Sequence, residues 1–487
     1  MDKNTLSNYG WIVIAVLVLS VMIALATPFG NYVKSAVENT TEGLFDVSEN
    51  ALNVVGMSAG DGSFDSDTGS STPTKDPALN PSGTIPEGAT YTIKTTTETL
   101  SAGSTMPNSV ANGDIYTYGD YKYTYKTASS GWQVGINTAV TDKNQTSYGA
   151  ILESINGQPV TSMSYTFRGC TSLTTAPEIP NSVTDMSSTF EGCTALTTAP
   201  TIPSSVTSMS YTFWNCTALT TAPVIPNSVT DMGSTFRGCT SLTTAPTIPS
   251  SVIDMGITFY GCTSLTTAPV IPNSVTDMGS TFRGCTSLTT APEIPNSVTD
   301  MSSTFQGCTS LTTAPTIPSS VTSMSYTFAN CTALTTAPKI PDSVTDIGGA
   351  FQGCTSLTTA PTIPNSVTSM SFTFNECTLL TTAPEIPNSV TNMMYTFEGC
   401  TSLTTAPTIP NSVTSMGSTF EGCTSLTTAP EIPSGVKNMS GTFAYCKSLI
   451  GEISLPCSLV SKNYTYTNCP ATISYYHIDG CDSSCGA

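Results

Sequence analysis

The only histidine of the chain, His477, stands among Cys457, Cys469, Cys481 and Cys485. Three readings of this set stay open. Two disulfides among the four thiols would staple a C-terminal cap, which suits an exported protein. Cys469, His477, Cys481 and Cys485 would make a Cys₃His zinc site, although three residues between the last two cysteines is loose spacing for zinc. The third reading leaves the thiols free and buried. Another thirteen cysteines run from Cys170 to Cys446 at a fixed interval of 23. Rung-to-rung disulfides or a column of metal sites would use them. One thiol per repeat at equal depth favours a plainer role, a small buried side chain hydrogen-bonding to loop backbone. An odd ladder, moreover, cannot pair completely. A single histidine argues against Ser-His or Cys-His nucleophilic catalysis. There is no phosphate-cradling glycine loop and no zinc-protease helix motif. The expectation is a protein that is not an enzyme, with no cofactor, no metal and no catalytic residue.

The elements that position these cysteines come from a 23-residue repeat without insertion or deletion. Its clearest copy is residues 193–215, CTALTTAPTIPSSVTSMSYTFWN. A fixed period of this length means one coil per repeat, stacked into a solenoid, because an isolated coil buries too little apolar surface to stay ordered. The apolar slots in this copy are Cys193, Leu196, Ala199, Ile202, Val206, Met209 and Phe213. The residue before the Met slot is always Ser, Asp or Asn, a set that caps helix starts. The residue before Cys is nearly always Gly or Asn, as a left-handed stop requires. Met and Phe, four apart, would share one face of a helical turn of about six residues. Pro200 and Pro203 restrict the Leu-Thr-Thr-Ala-Pro piece to extended chain. Each coil is therefore expected to hold one short strand and one short helical turn. The paired threonines, such as Thr197 and Thr198, read as a hydroxyl ladder, with the two side chains on opposite strand faces.

Positions that vary between coils of the same chain are the freest to bind. Between Ala-Pro and Ile-Pro the residues include Glu178, Val224, Glu293, Lys339, Glu385 and Glu431. After the Phe they run Arg168, Glu191, Trp214, Arg237, Tyr260, Arg283 and Gln306. Both columns are expected to face solvent. The candidate ligand-binding residues are Trp214 and Tyr260 as aromatic anchors, with Glu178, Glu293, Lys339, Glu385, Glu431, Arg237 and Arg283.

Outside the repeats, residues 11–26 (WIVIAVLVLSVMIALA) are nearly all apolar and sit at the short end of a membrane span. Ala24-Leu25-Ala26 offers a signal-cleavage site, so anchor and removable signal both stay open. Lys3 precedes the span, and Glu38, Glu42, Asp46 and Glu49 follow it, which favours the C-terminal bulk outside. Val33, Val37, Thr40, Leu44, Val47, Ala51 and Val54 continue with coiled-coil spacing, a route to self-association through residues 31–55. Residues 57–85 are linker by composition. Residues 114–126 (DIYTYGDYKYTYK) read as a hairpin turning at Gly119-Asp120, and 131–140 as a further strand. The tyrosines there are expected to fill a small β core.

With 33 acids against 14 bases the formal charge is −19, which argues against nucleic acid as a partner. The string VTDMSSTFEGCTAL, residues 183–196, resembles BspA-like leucine-rich repeat surface proteins over about residues 150–460. In this chain Ala-Pro-x-Ile-Pro replaces the Leu-rich strand usual in such repeats. The apolar-then-amphipathic N-terminus also resembles the pilin class, with Ala15 where such pilins carry Glu five residues after the glycine, here Gly10. The first resemblance implies a cell-surface protein for adhesion or host-factor binding.

The expected fold is mainly a β solenoid with short helical turns, leucine-rich-repeat-like, plus an N-terminal transmembrane helix and a small β module. The expected domains are a 1–56 anchor or signal helix, a 57–85 linker and an 86–149 β module. A 150–460 solenoid of thirteen coils and a 461–487 Cys-rich cap follow. The expected protein is membrane-anchored at the cell surface, or secreted if cleaved after Ala26. It would recognise a protein or glycan of a host or neighbouring cell. A pilin-like filament subunit and a ligandless surface spacer are the rival expectations.

Overall fold

The computed structural model describes residues 84–139, 142–456 and 459–476, all within the unit Pro73–Ala487. The apolar segment 11–26, the heptad-like stretch after it, nearly all of the linker, Val140, Cys457, His477, Cys481 and Cys485 lie outside the described residues. Among the described residues no helix is long and apolar enough to cross a membrane.

The N-terminal module is a seven-stranded sheet of order β2-β1-β3-β4-β5-β7-β6. Its strands are β1 (Ala89–Ile93), β2 (Glu98–Leu100), β3 (Ile115–Tyr118), β4 (Tyr121–Lys126), β5 (Gly131–Ile136), β6 (Ser154–Ile155) and β7 (Gln158–Ser162). β3 and β4 form the expected hairpin, with Tyr118 opposite Tyr121 and positive φ at Gly119. Glycine at that first central position suits a type II′ turn. Tyr91, Tyr116, Tyr121, Tyr123 and Trp132 are buried, so the tyrosines do fill the core. The indole Nε1 of Trp132 donates to the Ile155 carbonyl at 3.0 Å. β1 and β2, a threonine-rich pair, carry no strong apolar alternation and were not expected.

β5 runs parallel to β7, and this pairing joins the module to the first repeat. Ser162, at the end of β7, bridges in parallel to Asp185, which bridges to Ser208, and so on by steps of 23 to Ser461, with one step of 23 between each pair. Thr166 Oγ1 donates to the Val134 carbonyl at 2.9 Å, as Thr189 Oγ1 donates to the Met163 carbonyl one repeat earlier. β5 therefore stands where a preceding repeat would stand and covers that end of the core. Gly131 is required there, because a Cβ would overlap the Thr161 side chain.

The slots read from the sequence form the core. Val183, Met186, Phe190, Cys193 and Leu196 are fully buried, as are their counterparts in the following repeats. Thirteen phenylalanine rings from Phe167 to Phe443 stack face to face, with centroids 5.4–5.8 Å apart and planes within 3–8°. A spacing above the ~4.8 Å of neighbouring strands fits offset stacking, which parallel rings prefer to direct overlap.

The expected helical turn is absent: the described residues of the repeats contain no helix. From Met186 onward the amides alternate. Those of Met186, Ser188, Phe190 and Gly192 donate to carbonyls 22 residues ahead, whereas Thr189, Glu191 and Cys193 donate three residues back. The switch is made by two left-handed residues per repeat, here Ser188 (φ 53) and Gly192 (φ 72). A helix would keep those amides to itself. Alternation spends half of them on the next repeat, and a Ser-, Thr- and Gly-rich segment has little intrinsic pull toward helix. The acceptor expected before Met is real, but it caps a turn: Asp185 Oδ1 accepts from the Ser187 amide at 2.9 Å. The expected strand is also reduced, to single bridges such as Thr198 to Thr221. Thr197 and Thr198 are both exposed, because one bridge is too short for faces to alternate. The hydroxyl ladder is present, for example Thr220 Oγ1 to the Thr197 carbonyl at 3.3 Å.

The repeat features run on past Leu449. β8 (Glu452–Pro456) pairs in parallel with β9 (Thr472–Tyr476). Between them Tyr464 and Asn468 take the two left-handed positions, and Thr465 Oγ1 donates to the Met439 carbonyl at 2.8 Å. Lys462 occupies the Met slot, and Cys469 falls 23 residues after Cys446.

Candidate ligand surface

The cysteine column has no chemistry to offer a ligand. From Cys193 to Cys446 each thiol donates to the backbone carbonyl of a Phe 26 residues earlier, at 3.0–3.1 Å. All are free and buried. Burial pushes Cys216, Cys308, Cys354, Cys400 and Cys446 up to about 12. Such thiols are protonated and inert at neutral pH. The rung-to-rung disulfide and metal-column readings give way to the backbone-bonded thiol. Cys469 is half-buried, and the cysteines expected to staple a cap with it, Cys457, Cys481 and Cys485, lie outside the described residues. Among the described residues no three His, Cys, Asp or Glu side chains converge to hold a metal ion.

The first variable column lies open to water. Glu178, Glu293, Lys339, Glu385 and Glu431 are exposed, and Val224 and Val270 in the same column are each 87% exposed. The Ala-Pro and Ile-Pro pairs on either side hold the backbone extended, so each of these residues projects once per repeat.

The second column differs from the expectation of open anchors. The structure brings Trp214, Arg237, Tyr260 and Arg283 together, half-buried, as an alternating stack. The Arg237 guanidinium lies 4.8 Å from the Trp214 ring centroid and 5.0 Å from that of Tyr260. Arg283 follows 5.4 Å from Tyr260. Such contacts contribute about 0.5–1 kcal/mol each when partly exposed. Elsewhere the column also joins neighbouring repeats. Arg168 pairs with Glu191 at 3.0 Å. Gln352 Nε2 donates to Asn375 Oδ1, and Asn375 Nδ2 to Glu398 Oε2, both at 2.9 Å. The residue after Phe thus tends to match its neighbour in the next repeat, and the faces of Trp214 and Tyr260 are engaged within the protein.

Two further columns escaped the sequence reading. Where Thr precedes Phe it is buried, and in most repeats its hydroxyl reaches two carbonyls, as Thr189 does with Met163 at 2.9 Å and Met186 at 2.7 Å. Its recurrence at every period but one was visible and signalled this role. The first left-handed position carries Tyr165, Tyr211, Tyr326, Phe372, Tyr395 and Tyr464 in some repeats, Ile257 in one, and Ser or Gly in the others. Large aromatics at positive φ give no local sequence signal, since Gly or Asn is the usual occupant.

The acidic residues before Met also stack. Asp231, Asp254, Asp277 and Asp300 are successive partners. Although both side chains keep solvent exposure, partial desolvation by the packed neighbours, together with the adjacent carboxylates, raises Asp254 and Asp277 above the ordinary carboxylate range, against the pull of the Gly256 and Gly279 amides.

A family model described as BspA type leucine rich repeat region, in six copies, matches residues 161–257, 254–381 and 348–473. Among solved structures, a leucine-rich repeat protein from Bacteroides ovatus is similar at 23% identity and TM-score 0.50, over 74% of this chain and 99% of that one. A leucine rich cell surface protein from Faecalibacterium prausnitzii is similar at 22% identity and TM-score 0.42, over 75% of this chain and 95% of that one. No curated protein matches.

Proposed function

The chain belongs to the BspA-type leucine-rich repeat family, and from that premise we propose that it is an exported, membrane-anchored surface protein whose solenoid displays an extended face for adhesion or protein and glycan recognition. The observation that carries the reading is the division of labour within each repeat. Core and backbone slots are nearly constant, while an exposed residue between two Ala-Pro and Ile-Pro pairs changes from Glu to Thr, Val or Lys. A stack that conserves its interior and varies one open column has the form of a display scaffold. The apolar segment 11–26 is the proposed anchor, with cleavage after Ala26 releasing a secreted form. A charge of −19 suits a protein-, glycan- or matrix-facing surface better than a nucleic-acid one.

Protease shaving of intact cells that express the full chain tests exposure: fragments of the repeats are expected in the supernatant. Titration of the purified full chain against glycan and matrix-protein arrays tests recognition, with saturable binding expected. Repeats that resist shaving until cells are lysed would refute surface display. Absence of saturable binding would favour a ligandless spacer.

A further inference from the structure

The left-handed aromatic column has a gap near its C-terminal end. A ring at this position leans over the next repeat: a Cβ added at Gly349 would run into the ring of Tyr326. Phe372 and Tyr395 likewise stack at 4.5 Å and 11°. Between Tyr395 and Tyr464, however, the column holds only Ser418 and Gly441. Three repeat steps of ~4.8 Å place the two tyrosine backbones about 14 Å apart, with two rings missing between them. A cleft of about 290 Å³ opens there.

Tyr395 stands at one end of the cleft and Tyr464 at the other, with Tyr445 beside it. Tyr464 is 79% exposed and Tyr445 45%. Gly441 and Ala444 are buried and line the cleft from below. Glu421 reaches over this floor, its Oε2 lying 3.2 Å from where a Cβ of Gly441 would stand. Asn438 and Asn463 also line the cleft. Aromatic walls with a few polar groups are what a small-ligand site offers.

We propose that this cleft binds one or two neutral sugar residues of a glycan, with a pyranose C–H face packed on Tyr464 or Tyr445 and its hydroxyls on Glu421, Asn438 and Asn463. The electron-rich face of a tyrosine ring attracts the polarised C–H groups of a sugar. Carboxylate and amide side chains together accept from and donate to hydroxyls. An ammonium group would use the rings and Glu421 but not the amide donors. Anionic sugars are disfavoured, because Glu376, Glu398 and Glu421 follow one another along the same side. Burial and the two flanking carboxylates hold Glu398 above the usual range. The assignment deepens the surface-recognition reading and rests on it.

The test uses the purified full chain on an array of neutral, sialylated and sulfated oligosaccharides, with choline chloride as a separate competitor. Saturable binding to neutral glycans, undisturbed by choline, is expected. Gly441→Tyr should fill the gap and weaken binding at least tenfold, since the left-handed backbone there (φ 68) already carries tyrosine at Tyr395 (φ 59) and Tyr464 (φ 58). Ser418→Tyr (φ 52, against Tyr326 at φ 53) serves if that variant fails to fold, and Tyr464→Ala should also weaken binding. Normal glycan binding by all folded variants would overturn the cleft and leave the surface reading standing. Preference for acidic glycans, displacement by choline, or binding of peptides alone would overturn the sugar assignment. No saturable ligand of any kind would overturn both.

Discussion

Replacing Phe305 by Ala tests whether the repeats act as one continuous stack. The ring is fully buried and lies between Phe282 and Phe328 at 5.7 Å on both sides. Truncating such a ring costs about 3–5 kcal/mol, or two to three and a half orders of magnitude in the local equilibrium at ~1.4 kcal/mol per factor of ten. The loss falls on two seams at once. Because each repeat contacts only its neighbours, the array should melt as two blocks. All three tryptophans, Trp11, Trp132 and Trp214, precede the break, so tryptophan emission follows the N-terminal block alone. Urea titration read by emission and by hydrogen exchange of the C-terminal repeats should give coincident transitions for the wild type and separated ones for Phe305→Ala. Exchange should rise first at the Phe282 and Phe305 amides, which bond to the carbonyls of Thr304 and Thr327. A single coincident transition shifted by less than about 1 kcal/mol would refute the stacked-core reasoning.

Three more predictions rest on other columns. Arg237→Ala removes both of its ring contacts and should lower stability by about 1–2 kcal/mol, with a change in Trp214 emission; unchanged urea midpoint and spectrum would count against the stack. Asp254→Asn should leave the turn intact, because Asn392 and Asn438 make the same amide contact in their own repeats. Removing one of four successive carboxylates should raise stability slightly at pH 7, by no more than about 0.5 kcal/mol because the site is exposed and screened. Since Asp254 is raised in the folded state, the wild type closes that difference as acid protonates it, and a calorimetric difference that grows with acid would be contrary. The column thiols have folded pKa values raised above the ordinary ~8.5, so the folded state keeps protons that the unfolded chain gives up. Their contribution is present in full below about pH 8.5 and declines from there toward about pH 12. Alkaline melts should show that fall, and iodoacetamide at pH 8 should spare Cys193 to Cys446 until denaturant is added; labelling of the native column would contradict their burial.

The period, the apolar core slots and the tyrosine hairpin were legible in the amino acids, whereas the buried Thr before Phe was not read as part of the core. Apolar periodicity reports burial whatever the backbone does, which is why Met and Phe were placed correctly on one side while the helix between them was not. Whether an amide bonds three residues back or 22 ahead depends on whether another repeat lies alongside. No local propensity encodes that choice, and Tyr or Phe at the left-handed positions concealed it further. The same holds for the surface. Trp214 and Tyr260 stood out by residue type, yet only stacking decided that Arg237 lies between them. The cleft beside Tyr464 arises from two small residues spaced 23 apart, an adjacency that exists only once the repeats are stacked. Composition and period determined what this protein is built from and which apolar side chains go inside; the contact between one repeat and the next determined the backbone, the pairing of the exposed columns and the gap that opens the cleft beside Tyr464.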